Sequence, residues 1–529
     1  MTRTALRREG WPVAMPAIDP SPASRGSTRA LPLVIQGGMG VAVSSWRLAS
    51  AVARTGQLGV VSGVALDAVL ARRLQDGDHG GEVRRALAAF PVPEVAERAI
   101  ARYFRPAGRP PGTPYRPVPR LALRQDRSGQ ELAVLGNFVE VWLAKDGHDG
   151  TVGVNYLEKV QMATPAAAYG AMLAGVDYVL MGAGIPRDIP ELLNRLATHD
   201  AVRLPVDVAG SENEHAVELD PRELLGADLP PLVRPVFLAI VSAHVLAAYL
   251  ARDEHIRPDG FVIEGPRAGG HNAPPRGRLT LDDSGQPVFG PRDDADLDKI
   301  AALGLPFWLA GAYGTPEGVA TALASGATGV QVGTLFAMSE ESGLAPDLRA
   351  QLVSRLVGHA LEVRTDAVAS PTGFPFKVAQ LPGTLSVESE RTARPRLCDL
   401  GYLRTPYLRE GGEIGYRCPA EPVHAYVRKG GAVEDTAGRA CLCNSLTANV
   451  ELGQTRRDGY QEKPLVTLGA DIEGARRLAE LHPVGWSARD ALQWLMQAHP
   501  VPPESAGPPP KPISLPSGSR YVAFRTPFE

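Results

Sequence analysis

The residues best placed to do chemistry sit at the ends of apolar runs. GFVIEGPRAGGHN (Gly260–Asn272) closes on Gly269, Gly270 and His271, and ATGVQVGTLFAMSEES (Ala327–Ser342) carries Gly333 and Thr334 after its apolar stretch. Between them, PFWLAGAYGTPEGVATALASGA (Pro306–Ala327) reads as strand, glycine-rich turn and helix, with Thr315 as N-cap, Pro316 at the first helical position and Glu317 in the first turn. Glycine at a strand end lets the backbone approach a ligand with no Cβ in the way, and a helix N-terminus offers unpaired N–H groups and the positive end of its dipole. The turn Gly311–Gly314 and the pair Gly333, Thr334 together suit a phosphate dianion held by backbone. Taken singly, each suits a tight βα turn at least as well. His271 follows its two glycines where a side chain would face the mouth of a barrel. An imidazole there can be a general base or a hydrogen-bond donor to a substrate oxygen; it can equally pack or bind phosphate.

Two further positions belong with these. IQGGMG ends an apolar run with Gln36 and Met39, and Gly37 and Gly38 strip side chains from the backbone between them. A flat aromatic cofactor could lie on such a surface, although a plain turn explains GGMG as well. Asn155, in VGVNYLEK, is a polar amide at the end of an apolar strand and needs hydrogen-bond partners, which the edge of a cofactor ring can supply.

The elements that must position these residues alternate along the chain. Strands are expected at LPLVIQGGMG (Leu31–Gly40), LGVVSG (Leu58–Gly63), TVGVNYL (Thr151–Leu157), VDYVLMG (Val176–Gly182), RPVFLAIV (Arg234–Val241), DGFVIEG (Asp259–Gly265), PFWLAG (Pro306–Gly311) and GVQVGTLF (Gly329–Phe336). Helical patterns fall between most of them, including SSWRLASAVARTG, NFVEVWLAK, TPAAAYGAMLAG, IPELLNRLAT and VLAAYLARD. Near-continuous apolar strands alternating with helices argue for a parallel sheet covered on both faces. Eight units predict an α/β protein with a TIM (β/α)8 barrel, an insertion after strand 2 and a C-terminal α+β cap. An open doubly wound sheet is the runner-up, but its main phosphate loop would follow the first strand rather than the last two. The expected boundaries are a disordered tail over 1–30, the barrel over 31–345 with an insertion at about 64–130, the cap over 346–500 and a Pro-rich tail over 501–529.

Composition narrows the function classes. A chain of 529 residues with 44% hydrophobic residues has ample material for a large core, and a net charge of −3 gives no reason to expect nucleic acid or an anionic membrane. The longest apolar stretch, about Phe237–Ala251, is broken by Ser242 and His244 and is shorter than the roughly 18 residues a membrane span needs. The N-terminal region has no apolar signal-peptide core. Four cysteines, Cys398, Cys418, Cys441 and Cys443, make no disulfide framework. Their spacing, one C-x-C and gaps of about twenty residues, is poor for zinc, so free, partly buried thiols and no metal are expected. A cytoplasmic protein is the simple expectation. SPTGFPFK (Ser370–Lys377) reads as a loop able to reach the barrel mouth and bring Lys377 to an anionic substrate.

As a set, these motifs resemble those of the nitronate monooxygenase family (2-nitropropane dioxygenases) and the related FMN-dependent enoyl-acyl-carrier-protein reductases. The family's Q-G-G-M corresponds to Gln36–Met39, its G-V-N to Gly153–Asn155 and its A-G-G-H to Ala268–His271. Its A-G-G-I phosphate turn corresponds to Ala310–Tyr313, and its G-V-Q-x-G-T to Gly329–Thr334. The resemblance covers about Leu31–Gly343, with 64–130 poorly matched. Four features depart from the pattern: Ala312 and Tyr313 in the phosphate turn, no lysine just after the fifth strand (His244 lies nearby), NAPPRG after His271, and a larger cap.

The resemblance implies a TIM barrel binding FMN. Gln36, Gly38, Met39, Asn155, Gly269, Gly270, Gly311, Ala312, Gly333 and Thr334 would be the cofactor-binding residues, and His271 would be catalytic. It also implies a small-molecule substrate, with O2 or NAD(P)H as co-substrate. The leading expectation is oxidation of an alkyl nitronate or similar stabilised carbanion with O2. The alternatives are reduction of an activated C=C bond in fatty-acid or polyketide-type biosynthesis, and a non-catalytic flavin-binding partner. Neither a nucleic-acid nor a membrane partner is expected, and homo-oligomerisation is left open.

Overall fold

In the computed structural model of the chain, residues 30–498 are described; both expected tails, 1–30 and 501–529, lie outside this range apart from Ala30. The strands run in chain order as β1 (Val34–Gln36), β2 (Leu58–Ser62), β3 (Val152–Leu157), β4 (Tyr178–Gly182), β5 (Val202–Pro205), β6 (Ala216–Leu219), β7 (Val236–Val241), β8 (Gly260–Glu264), β9 (Phe307–Ala310) and β10 (Gly329–Val332). After the barrel come β11 (Val363–Asp366), β12 (Phe376–Ala379), β13 (Thr405–Leu408) and β14 (Ile414–Arg417). Eight of them close into a parallel barrel in the order β1-β10-β9-β8-β7-β4-β3-β2, the ring being sealed where Val34, Ile35 and Gln36 pair with Val330, Gln331 and Val332. The barrel strands are buried on both faces, which is why they read as apolar runs rather than alternating ones. This is the TIM barrel expected from the alternation. β5–β6, β11–β12 and β13–β14 are separate antiparallel pairs.

Three elements differ from expectation. The last barrel strand stops at Val332, because Gly333 starts a helical turn over Thr334–Ala337 that takes up the rest of the anticipated strand. In the insertion after β2, the helices Leu66–Gln75 and Glu82–Ala88 are followed by an unanticipated third over Pro93–Tyr103, which has proline at its first position and buries Val95, Ala96, Ala99 and Tyr103. The helix expected at Asn137–Lys145 begins ten residues earlier, at Arg127, with Asp126 as N-cap accepting from the Gly129 N–H. It is the crossover helix between β2 and β3. Glycine allows it to pack closely: a Cβ on Gly136 would fall 2.4 Å from the Leu66 carbonyl oxygen, and one on Gly170 would fall 2.1 Å from that of Val134.

The C-terminal segments are tied to the barrel by named bonds. The Tyr402 hydroxyl donates to Asp67 Oδ1 (2.6 Å), and buried Arg72 donates to Thr447 Oγ1 and the Leu452 carbonyl. Trp486 Nε1 donates to the Leu335 carbonyl (2.9 Å). Two more bonds, from the Gly270 N–H to Thr467 Oγ1 and from the Lys377 N–H to the Gly270 carbonyl, join Gly269–Asn272, Ser370–Lys377 and Thr467–Gly474 at the end of the barrel where the strands terminate.

Candidate active site

Two adjoining cavities open at that end. The first, about 910 Å³, is walled by Gly37–Gly40 after β1, Arg267–Gly270 after β8, Gly311–Gly314 after β9 and Gly333–Leu335 after β10. Among the described residues, the N–H groups of Ala312, Tyr313 and Gly314 have no hydrogen-bond partner, and those of Thr334 and Leu335 belong to a helical turn that leaves its first donors free. Thr315 caps the next helix by accepting from the Gly318 N–H (2.9 Å). A cluster of unpaired backbone donors beside a helix N-terminus is suited to an anion. Gly311 has φ +82° and Gly270 φ +77°, backbone that favours glycine, and a Cβ on Gly311 would meet the Ala268 nitrogen at 2.9 Å. The cleft thus stays open because its walls lack side chains.

The second cavity, about 980 Å³, shares Gly38, Gly40, Glu264, Gly269, Gly270, Gln331 and Thr467 with the first, so the two form one continuous site. Its other walls are mostly apolar. Val64, Ala65, Leu157, Val160 and Ile240 come from the barrel side, and Phe376, Tyr402, Leu403, Leu442, Cys443 and Leu446 from beyond it. Where the two cavities meet, the Gln331 Oε1 is buried with no partner among the described residues. An orphaned acceptor is costly unless a ligand or water pairs with it, so the site presents an unpaired acceptor at its centre and a row of free N–H groups at one end. That combination fits a cofactor with a hydrogen-bonding ring and a phosphate.

His271 faces the apolar chamber. Its Nε2 lies 2.7 Å from Ser370 Oγ, which lies 2.8 Å from Thr372 Oγ1, and its ring meets Phe376 edge-on at 4.9 Å. Burial pushes its pKa down to about 4, and the Lys159 ammonium adds to the shift, so the ring is neutral near pH 7. Lys159 itself rests 3.5 Å over the Phe374 ring. The loop flagged at Ser370–Lys377 therefore does reach the barrel mouth, but it delivers Ser370 and Phe376. Lys377 turns away and is buried, donating to Thr365 Oγ1 (2.7 Å).

Of the residues expected around a cofactor, Gly38, Met39, Gly269, Gly270, Gly311, Ala312, Gly333 and Thr334 line the first cavity, and Asn155 lines the second. Gly38 is pressed on Asn155, whose Cβ would lie 2.3 Å from an added Cβ. Gln36 is the exception. It is fully buried and lines neither cavity: its amide donates to the Gly37 carbonyl and Ser44 Oγ and accepts from the Val60 N–H. It props the glycine turn from behind.

Thr334 already accepts a bond from the Gly469 N–H (3.0 Å), and Gly270 N–H donates to Thr467 Oγ1 (2.9 Å). The stretch Thr467–Ala475 thus closes the first cavity, a wall the sequence reading missed. The four cysteines gather beyond the barrel. Cys418 and Cys441 are buried, Cys398 and Cys443 are packed against them, all are unpaired, and Cys443 borders the chamber. Among the described residues, no group of three or more His, Cys, Asp or Glu is arranged to hold a metal ion.

The closed parallel barrel of TIM type thus carries a glycine-walled cleft and an apolar chamber at its strand ends. Residues 232–368 match the family model for nitronate monooxygenase, the family whose motifs the sequence resembles. A curated relative, (3aS,4S,5R,7aS)-5-hydroxy-7a-methyl-1-oxo-octahydro-1H-indene-4-carboxyl-CoA dehydrogenase of Mycobacterium tuberculosis, is 30% identical over 138 residues. That match spans 26% of this chain and about a third (34%) of the relative's length. Similar solved structures include FabK from Thermotoga maritima (16% identity, TM-score 0.45, covering 89% of this chain and 93% of that one). Nitroalkane oxidase from Streptomyces ansochromogenes is another (16% identity, TM-score 0.41, covering 90% and 99%). Among the described residues, no helix is long and apolar enough to cross a membrane.

Proposed function

We propose that the chain is an FMN-dependent oxidoreductase that oxidises an alkyl nitronate or a similar stabilised carbanion with O2. The observation that carries this reading is the continuity of an anion-suited backbone cleft with an apolar chamber holding a neutral histidine and a nearby lysine. The N–H groups of Ala312–Gly314 and Thr334 would hold the phosphate, Gly38, Met39 and Asn155 would lie beside the ring, and the Gln331 amide would pair with a polar group of it. Bound FMN would supply the electron transfer, passing electrons from the substrate to O2 or taking hydride from NAD(P)H. His271, fixed by Ser370, presents an uncharged ring that accepts or donates one hydrogen bond to the substrate, and Lys159 favours an anion near it. The apolar walls exclude water and take the substrate's carbon chain.

The size and apolar lining of the chamber favour a second reading, reduction of an activated C=C bond on an acyl chain with NAD(P)H. The relative in Mycobacterium tuberculosis, a dehydrogenase of a carboxyl-CoA compound, is in keeping with such a substrate. Anaerobic mixing separates the two. Bleaching of the yellow protein by ethyl nitronate and not by NADPH supports the first, and the converse supports the second. A preparation that takes up no FMN overturns both.

A further inference from the structure

One carboxyl at the centre of the site has no part in that scheme. Glu264 is the last residue of β8, and its side chain borders both ligand cavities and a third, smaller cavity of about 320 Å³ behind them. That space is also lined by Ser242, Asn272, Arg276, Phe289 and Asp293. Among the described residues, no hydrogen bond reaches the Glu264 carboxylate. The Asn272 Oδ1, from the same lining, is a buried acceptor without a partner. A buried unpaired acceptor beside a carboxyl, in a polar cavity with room for about one water, is a setting in which ordered water is found.

We propose that Glu264 is the acid–base group that passes the reaction's proton between the ligand chamber and the small polar pocket behind it. The inference rests on the proposed oxidation. When a neutral nitroalkane is the form that enters, its α C–H bond breaks and the electron pair stays on the carbanion, delocalised into the nitro group. The proton forms the O–H bond of Glu264 and leaves through the small cavity to solvent. His271 then only orients the substrate, with Nε2 committed to Ser370.

The charges around Glu264 are consistent with this. Lys377 of β12, although bonded to Thr365, is close enough for its ammonium to act on Glu264 through space, and it lies 5.9 Å from the Phe289 ring. In the small cavity, the carboxylate of Asp293 accepts from the Arg276 N–H (2.6 Å). In the first cleft, Arg267 pairs with Asp471 at 3.7 Å, and across the chamber His271 is neutral. Burial pushes the Glu264 carboxyl up to about 7, with Lys377 acting against the shift, so both protonation states are populated at neutral pH. Burial also lowers Lys377, to about 8.

Two measurements test this. The first needs no substrate: pH-difference infrared spectroscopy of the FMN-loaded protein should show a protonated-carboxyl band titrating near neutrality. The band should be absent from Glu264→Gln and should move to higher pH in Lys377→Met, which removes the opposing cation. No such band in the wild type, or its persistence in Glu264→Gln, overturns the proposal. The second compares nitroethane with preformed ethyl nitronate. Glu264→Gln should lose roughly 10²-fold in turnover on the neutral compound, the size of a general-base effect, and little on the nitronate; equal losses overturn it. Should the Gln variant fail to fold, Glu264→Asp replaces it, keeping the band and losing the rate on nitroethane. If wild type turns over neither probe while the band titrates as expected, the nitronate reading fails and the acid–base assignment of Glu264 survives.

Discussion

The cleft and the chamber share a wall but are assembled differently. The cleft draws its donors from two short stretches, Ala312–Gly314 and Gly333–Leu335, each next to the strand that precedes it. The chamber draws side chains from positions as far apart as Val64 and Leu446, many from outside the barrel. A backbone site needs small residues and correct φ values, and it tolerates replacement of its neighbours. A side-chain site needs particular groups brought from distant segments, and it fails one residue at a time. Substitutions in the two regions should therefore separate cofactor retention from turnover.

The largest effect is expected in the cleft. Gly333 has φ −112°, which any residue adopts, and an added Cβ meets only the end of Met39, with Sδ at 3.3 Å. Gly333→Asp should fold, yet it places a carboxylate against a phosphate dianion. FMN affinity should drop by at least ~100-fold, about 3 kcal/mol, while Gly333→Ala keeps its colour. A folded Gly333→Asp protein as yellow as wild type by absorbance would remove the phosphate assignment.

In the chamber the opposite pattern is expected. His271→Ala takes away a side chain outside the first cavity, so FMN content should hold while turnover falls by roughly 10²-fold as the substrate loses its orienting hydrogen bond. The same ring should also mark acid stability. Its pKa is about 4 when folded, below the ordinary 6.5, so the unfolded chain takes up a proton that the folded chain refuses as pH falls from 6.5 to 4. That histidine therefore destabilises the fold progressively through this window, and His271→Ala should flatten the acid side of a melting-temperature profile. A colourless variant would make His271 a cofactor ligand; unchanged turnover would make it packing.

A third substitution tests how separate the two regions are. A Cβ on Gly474 would lie 1.8 Å from the Gly314 carbonyl oxygen, so Gly474→Val must push the helix Glu473–Leu481 off the phosphate turn. If Thr467–Ala475 serves as a wall of the cleft, FMN should bind about tenfold more weakly, with a loss of about 1–3 kcal/mol in stability from overpacking. Unchanged FMN affinity by equilibrium dialysis would restore the cleft to the barrel alone.

The same division explains what could be read from the sequence. The barrel and most cleft residues were legible because each is local: an apolar strand, then glycines, then a capped helix, as in Ala310–Ala324. Gln36 was misread because a polar residue at a strand end looks the same whether it turns to a ligand or back to Ser44. Ser370 and Phe376 lay in a segment whose reach was legible from composition, but the sequence does not reveal which side chain points inward, and Lys377 drew attention that belonged to its neighbours. Glu264 gave no signal, since a single carboxyl ending an apolar run reads as a strand terminus. Tyr402, Leu442 and Thr467 meet the chamber only through tertiary packing, which has no periodicity to detect. The helix Pro93–Tyr103 was hidden by the prolines on either side of it.

The smallest effect concerns Ala312, where the family's second glycine is replaced. The residue sits at φ +81° between Gly311 and Tyr313, so an L side chain occupies the left-handed region at a cost of about 1–2 kcal/mol. Ala312→Gly removes that strain but gives the unfolded chain more freedom, worth about 0.4–1 kcal/mol the other way. The net gain should be below about 1 kcal/mol, a melting temperature raised by a degree or so with FMN affinity nearly unchanged. Ala312→Val is the sharper half of the pair, because a β-branched residue is far less tolerant of positive φ. It must either strain the fold or flip the turn, and a flip would turn the donors of Ala312 and Tyr313 away from the phosphate. Val should therefore lower both stability and FMN retention where Gly raises one and spares the other. Equal melting temperatures and equal colour across Ala, Gly and Val would mean that this turn does not hold the positive φ on which the whole cradle depends.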